Sequence, residues 1–374
     1  MLGELWRWLV ALLDWRGWWR LLTGQAVVDV VFISNLRDEA ERQRFFGRWR
    51  PRCGHANGPR LYLGGIAGRI RGIDVTAEEM LSKEGRKRAQ QLFIAACEWA
   101  EQRGAKVILL AASTKRLFGR DGRALKARFP NLLFTIGDNG TATMLWADMQ
   151  RALSAAQLGT EARVLVIGPY GILGEMATRQ LLQAGYEVVG YGANATALAE
   201  LAERYPIATH TELADVGAVD AVIACTHSAA AKLDAARVAQ LSRPGRRLLV
   251  VDVAEPANLD VSAYAACRAQ VVRQDAGNAY SRRLQYVLGP FSWRMLMLSR
   301  GVMFGCFAEA MALYRAIHQA GEAQLGEVDW FVVDKARMQT VATALAAAQV
   351  ELPTPRCFGA PVSSFALGAA AAQY

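Results

Sequence analysis

Gly168, Gly171 and Gly174 recur every third residue in the stretch VLVIGPYGILGEMATRQLL, between an apolar run and a helical pattern. Strand, glycine turn and helix in that order form the arrangement that receives a pyrophosphate. The first glycine permits the tight turn, the second lets the backbone approach the phosphates, and the third lets helix pack on strand. The helix start adds free N–H groups and the positive end of its dipole. The turn Gly168-Pro169-Tyr170-Gly171-Ile172-Leu173-Gly174 therefore reads as a dinucleotide cradle. Its spacing is one residue longer than the usual G-x-G-x-x-G. After the next strand-like run come Tyr191, Gly192, Ala193, Asn194 and Thr196. An acid there favours NAD and a basic residue NADP; neither is present. Asn194 and Thr196 are placed to bond a ribose or phosphate, Tyr191 to stack on adenine, and the choice between NADP and NAD stays open.

Other reactive residues sit at the ends of apolar runs, where open α/β sheets bind ligands. Cys225-Thr226-His227 ends AVIAC, so Thr226 would line the cofactor and His227 would act as acid or base or lower the Cys225 pKa. The alternative is that Cys225 is core. Lys115 follows VILLAAST, suited to orienting a carbonyl or binding phosphate, or else simply solvated. Thr135 ends another short strand and leads into a polar turn at 137–142; in it Asp138 and Asn139, and further on Asp275, are cleft candidates or else structural turn residues.

These residues need elements to hold them. Strand-like runs at 26–34, 106–112 and 132–136 alternate with a charged helical pattern at 37–49 and further helical patterns at 77–103 and 143–153. LYLGGIAG follows a Pro/Gly-rich turn, PRCGHANGPR. Further strands are expected at 164–167, 187–192, 218–225, 246–253 and 269–273, with helices from Leu284 onward and a loose Ala-rich tail. This alternation predicts an α/β chain: a Rossmann-type doubly wound parallel sheet with an N-terminal α/β lobe and C-terminal helices. The expected segments are an N-terminal helix (1–24), an N-terminal lobe (25–156), the dinucleotide domain (160–282) and C-terminal helices packing on the N-terminal lobe (283–374).

The 374 residues are 53% hydrophobic and 21% charged, which fits a folded protein with a large core. The formal charge of +9 suits an anionic membrane or an acidic protein such as an acyl carrier. Nucleic acid is not expected, because the basic stretch STKRLFGRDGRALKAR has a single Phe118 and no stacking platform. Six scattered cysteines without a CxxC pair imply neither zinc nor disulfides and fit reduced thiols of a cytoplasmic protein. The first 24 residues hold five of the ten tryptophans. Charged residues exclude a membrane span and make a poor signal peptide. On a helical wheel Leu2, Leu5, Leu9, Leu12 and Leu13 oppose Glu4, Arg7 and Asp14. That face fits a peripheral site on the inner membrane, or else caps the protein's own core or a dimer partner.

Several stretches together resemble the long-chain acyl-[acyl-carrier-protein] reductase family. They are MFGCFAEAM from Met303, TIGDNGTA from Thr135, the Gly168–Gly174 turn, VILLAASTK and VVDVAEPANLD. The resemblance spans about residues 28 to 320. It implies an NADPH-dependent reductase acting on an acyl-carrier-bound or lipid-like thioester, with acyl carrier protein as partner and with Thr135, Gly137, Asp138, Asn139 and Thr141 at the substrate. Three departures stand out. The nucleophilic cysteine expected near residues 280 to 283 is absent, with Tyr280 and Ser281 in that segment. Glycines before the lysine are Ala111 and Ala112. The histidine of the polar turn is Gly140. A tyrosine such as Tyr280 would instead protonate a carbonyl during direct hydride transfer. The missing thiol also leaves open a non-catalytic dinucleotide-binding role or a dehydrogenase of a small carbonyl substrate.

Overall fold

The computed structural model describes residues 2–47, 51–119 and 121–368. The side chains of Leu2 and Glu4, the end of the charged helix expected after residue 37, and the last residues of the tail lie outside the described residues. The chain forms two compact units. One comprises residues 1–140 and 279–351, the other 141–278 and 352–374.

The first unit opens with α1 (Leu2–Leu12) and α2 (Trp15–Leu22), followed by β1 (Val30–Leu36) and α3 (Glu39–Phe46). The expected turn region is mostly strand. β2 (His55–Leu63) and β3 (Ile66–Thr76) form a hairpin around Gly64-Gly65, with an irregular register between Asn57 and Arg60 that absorbs the glycine and proline. Then come α4 (Lys83–Glu101), β4 (Val107–Ala111), α5 (Arg123–Arg128) and β5 (Leu133–Thr135). The helix α6 (Asp138–Ala155) begins at Asp138, so the polar turn expected at 137–142 is largely helical.

The second unit continues with β6 (Arg163–Ile167), α7 (Ile172–Gln183), β7 (Glu187–Tyr191), α8 (Ala195–Arg204), β8 (Ala208–His210), β9 (Ala221–Ala224), α9 (Ala235–Leu241), β10 (Leu248–Asp252), α10 (Val261–Cys267) and β11 (Val271–Asp275). The chain returns to the first unit through β12 (Asn278–Tyr280), β13 (Leu284–Tyr286), α11 (Pro290–Trp293), β14 (Val302–Phe304), α12 (Gly305–His318) and α13 (Lys335–Ala347), and closes with β15 (Arg356–Cys357) and β16 (Ala360–Pro361). The stretch after Leu284 is thus strand-bearing before its helices begin.

In the first unit the sheet order is β13-β2-β3-β1-β4-β5, with β3, β1, β4 and β5 parallel. α12 lies on it: Phe307 stacks on Phe32 with ring centroids 4.1 Å apart. A Cβ at Gly68 would come within 2.9 Å of the Phe32 ring, so the missing side chain lets this helix sit close.

The second unit has the order β8-β7-β6-β9-β10-β11, all parallel. Read from β6, this is the 3-2-1-4-5-6 order of dinucleotide-binding sheets. Its central strands β6, β9 and β10 are nearly continuous apolar runs, as parallel strands covered on both faces require. α7 buries Gly174, Ala177, Thr178 and Leu181, one face at helical spacing. The unit boundaries differ from the expected 156/160 and 282/283. Within α6, Asp148 accepts hydrogen bonds from Gln274 Nε2 (2.5 Å) and Gly277 N (3.0 Å), which ties the helix to the end of β11. Nor is the described part of the tail loose. Arg273, held by Asp252 (2.9 Å) and Asp275 (2.5 Å), lies 3.9 Å from the Phe358 ring, and Arg247 N donates to Leu367 O.

Candidate functional site

The glycine turn leaves β6 at Gly168, whose φ is +77° and whose Cβ would sit 2.8 Å from that of Thr226. Thr226 therefore closes the turn from the end of β9. A Cβ at Gly174 would fall 2.0 Å from the Gly168 carbonyl oxygen, so only glycine fits there. At Gly171 the nearest atom to a Cβ would be 3.5 Å away, ordinary contact distance. Gly171 is the N-cap of α7 and offers no side-chain acceptor. The first internal bond of the helix runs from Glu175 N to Gly171 O, so the N–H groups of Ile172, Leu173 and Gly174 start the helix uncapped. These backbone donors and the glycines around them fit the phosphates of a dinucleotide.

Around that turn the sequence expectations divide. Pro169 is buried, and a Cβ at Gly190 would meet its ring at 3.0 Å. Tyr191 is a core residue, 6% exposed, with its hydroxyl donating to Ala230 O, so it cannot stack on a ligand. The aromatic at this strand end is Tyr170, half-buried; a Cβ on Gly192 would come within 2.5 Å of its ring. Asn194 is committed as the N-cap of α8, accepting from Ala197 N. Thr196 is exposed two residues further on, in the first turn of α8. Thr226 Oγ1 accepts from Ser228 N, and its carbonyl accepts from the Asn258 side chain at 2.7 Å. His227 is exposed on the same loop. Burial and the charge of Asp252 push the Cys225 thiol far up, which holds it protonated and unsuited to nucleophilic attack.

In the first unit, the strand ends of β4 and β5 and the start of α12 gather a polar cluster. Asn35 Oδ1 accepts from Ser113 N, and Thr114 Oγ1 donates to Ala111 O, which pins the short turn carrying Lys115. Ala112 in that turn adopts φ +53°, where the resembled family has glycine. The Lys115 ammonium pairs with the Asp138 carboxylate, 25% and 4% exposed respectively. Burial works against the lysine's charge, but Asp138, with Cys306 and Glu309 nearby, outweighs it and raises its pKa. Glu309 is fully buried on α12. It accepts from Thr135 Oγ1 (2.5 Å) and Gly140 N (2.6 Å), and burial pushes its carboxyl up to about 7. Cys306 is half-buried, its thiol pushed up to about 11 by burial against the opposing pull of Lys115.

Glycine makes this approach of α12 feasible. A Cβ at Gly137 (φ +71°) would lie 2.3 Å from the Cys306 Cβ, and one at Gly140 would lie 2.6 Å from the Gly305 carbonyl. The histidine of the resembled family has no room at Gly140. Asn139 is buried and donates to Val332 O at 3.0 Å, a structural role. Thr141 belongs to the second unit, its methyl 3.1 Å from where a Gly277 Cβ would be. Tyr280 is held in β12 by paired backbone bonds with Glu351 at 2.8 Å, its ring against Gly301. Asp275 is a partner of Arg273.

Lys115, Thr135, Gly137 and Asp138 are therefore brought together. Glu309 and Cys306 join them, unmarked by the sequence reading. An acid inside the apolar run MFGCFAEAMAL was the available signal. Among the described residues no group of three or more His, Cys, Asp or Glu converges to hold a metal ion.

The sheet order and glycine turn define the second unit as a Rossmann-type domain. Residues 150–275 match the family model described as shikimate / quinate 5-dehydrogenase. No curated protein matches the chain significantly. Three solved structures it is similar to are a dipicolinate synthase component from Bacillus halodurans, L-tryptophan dehydrogenase from Nostoc punctiforme and shikimate dehydrogenase from Aquifex aeolicus. The first is 18% identical over 46% of this chain and 60% of that one, with a TM-score of 0.31. The second is 8% identical over 86% and 80%, with a TM-score of 0.40. The third is 12% identical over 67% and 87%, with a TM-score of 0.35.

Proposed function

We propose that this protein is a nicotinamide-dinucleotide-dependent oxidoreductase that reduces a carbonyl by direct hydride transfer. The observation that carries the reading is the uncapped start of α7 behind Gly168 and Gly174, in a sheet of dinucleotide-binding order. The family-model match over residues 150–275 supports the same class. Ile172, Leu173 and Gly174 N–H groups would hold the pyrophosphate, with Tyr170 beside the adenosine. The stretch after β7 carries neither acid nor base, so NAD and NADP are expected to bind with affinities within about tenfold of each other.

The bound dinucleotide supplies the hydride. Within the first unit, Asp138 keeps the Lys115 ammonium charged and aimed, as a proton donor to a carbonyl oxygen requires. A covalent acyl-enzyme on Cys97, Cys225, Cys267, Cys306 or Cys357 is disfavoured, because all five have raised pKa values. This favours a free aldehyde, ketone or imine over an acyl-carrier thioester.

The test is calorimetric titration of the purified chain with NADH and NADPH, followed by turnover with a panel of carbonyls and a long-chain acyl-carrier thioester. Dinucleotide binding with carbonyl turnover that survives Cys225→Ala and Cys306→Ala is expected. Absence of dinucleotide binding would sink the proposal. Aldehyde from the thioester that is lost in either cysteine variant would restore the covalent route.

A further inference from the structure

The helix pair at the N-terminus is amphipathic in the inverted sense. α2 turns Arg16, Gly17 and Arg20 toward the protein and leaves Trp15, Trp18, Trp19, Leu21 and Leu22 at 49% to 80% exposure. A helix of a water-exposed protein does the reverse. In α1, Trp6 and Val10 are buried while Leu5, Trp8, Leu9 and Leu12 face out. Of the fifteen exposed large hydrophobic residues among the described residues, ten lie between Leu5 and Leu22.

This outward face is held in place by an ionic anchor beneath it. Asp14, 5% exposed, caps α2 through Gly17 N, accepts from Tyr62 Oη (2.7 Å) and pairs with Arg60 (2.6 Å), with Arg69 at 3.7 Å. Burial and the neighbouring Arg60 hold Arg69 down at about 9, against the pull of Asp14. Arg20 bonds Asp29 (2.6 Å), Ala26 O (2.7 Å) and Gly65 O (3.1 Å). Turning the pair over would leave these buried charges unmatched. The apolar face is therefore fixed outward.

Charge identifies what covers it. The first unit holds 31 Lys and Arg against 20 Asp and Glu, a net +11; the second holds 12 against 14, a net −2. The inverted helices thus sit on the unit that carries all of the net positive charge. Tryptophan-rich apolar surface on a basic body is complementary to the headgroup region of an anionic bilayer. No described helix is long and apolar enough to cross a membrane, so the pair would lie in the interface plane.

We propose that α1 and α2 form a docking surface for an anionic lipid bilayer. The experiment is flotation of the full chain with vesicles of phosphatidylcholine alone, or with about one lipid in three replaced by phosphatidylglycerol. The variant is Trp8→Ser/Trp19→Ser/Leu22→Ser; these side chains are 76%, 62% and 80% exposed, so its melting temperature and dinucleotide binding serve as controls for folding. The expected result is at least about tenfold tighter binding to the anionic vesicles, a blue-shifted tryptophan emission there, and at least about tenfold loss in the variant. Failure of the wild-type chain to float, or a variant that floats equally well, overturns the proposal. So does an oligomer that the variant converts to monomer without lipid, which would assign the face to a second copy. Lipid-independent binding of an acidic carrier protein that the variant abolishes would assign it to a protein partner.

Discussion

The glycine turn of the second unit and the Lys115 cluster of the first are two ways of building a polar site. The turn is made of backbone: three N–H groups, no charge, and glycines where a Cβ would collide. The cluster is made of side chains whose charges depend on one another: an ammonium, a carboxylate pair and a thiol, three with raised pKa values. A backbone site is indifferent to pH and sensitive to added atoms. A side-chain site is the reverse. That difference can be tested residue by residue.

The largest effect belongs to Lys115. Lys115→Met should lower kcat for carbonyl reduction by about 100- to 1,000-fold, with dinucleotide affinity unchanged, as loss of a positioned proton donor does. Steady-state kinetics beside a dinucleotide titration check this; equal loss of both would break the division between the two sites. Because the lysine's pKa is raised, reduction by the wild-type protein should hold through neutral pH and fall only in strongly alkaline solution.

Glu309 comes next. Its folded pKa of about 7 lies above the ordinary 4.5, so the neutral form is the one that folding favours. Its contribution to stability is complete below the ordinary value and is lost as pH rises through about 7. Denaturant titrations across pH 4 to 8 should show a decline, of which roughly 3 kcal/mol is removed by Glu309→Gln. Asp148, also pushed up to about 7 by burial, gives a decline of the same sign that remains in the variant. An unchanged pH slope would break the electrostatic account of the cluster.

Gly171→Asp sharpens the contrast from the other side. The position has room for a side chain and an N-cap backbone, φ −76° and ψ 162°, so aspartate should cap α7 and raise stability by up to about 1 kcal/mol. The same carboxylate would occupy the cradle, and dinucleotide affinity should fall by about 100-fold, read by calorimetry against a thermal melt. The smallest effect is at Ala112, whose φ of +53° costs an alanine about 1 kcal/mol; Ala112→Gly should recover most of that in a denaturant titration and leave the Lys115–Asp138 pair intact.

The same division explains what was legible beforehand. The glycine turn is contiguous, and its spacing carries its mechanics, so residues 164–183 read directly as strand, turn and helix. Lys115, Asp138 and Glu309 are separated by up to 194 positions, and nothing local links them. Glu309 sits in a run whose apolar neighbours argue only for a core helix; its burial is explained by Thr135 and Gly140, which no periodicity brings to it. The burial of Tyr191 is likewise set by contacts that its local sequence does not show. A tyrosine after a β-strand suits a ligand platform, but alternation along β7 turns it inward, and Tyr170 takes the outer position. The hairpin at 55–76 was hidden by its own glycines and proline, which mark turns elsewhere and here mark an irregular strand. Lys115 and Asp138 could be singled out as polar residues at strand ends, though not as partners.

The order in which the units occur along the chain carries a consequence for synthesis. The first unit is interrupted after residue 140 by the whole of 141–278, and the second is closed only by residues beyond 351. On the ribosome, the sheet of β1 to β5 must wait for α12 to cover Phe32, and Lys115 meets Asp138 long before Glu309 exists. The Rossmann-type sheet is finished sooner, but Arg273 keeps an incomplete set of neighbours until Phe358 has left the exit tunnel. A nascent chain halted before residue 351 therefore presents two unfinished cores to the quality-control machinery of the cell, and one halted after it only the second.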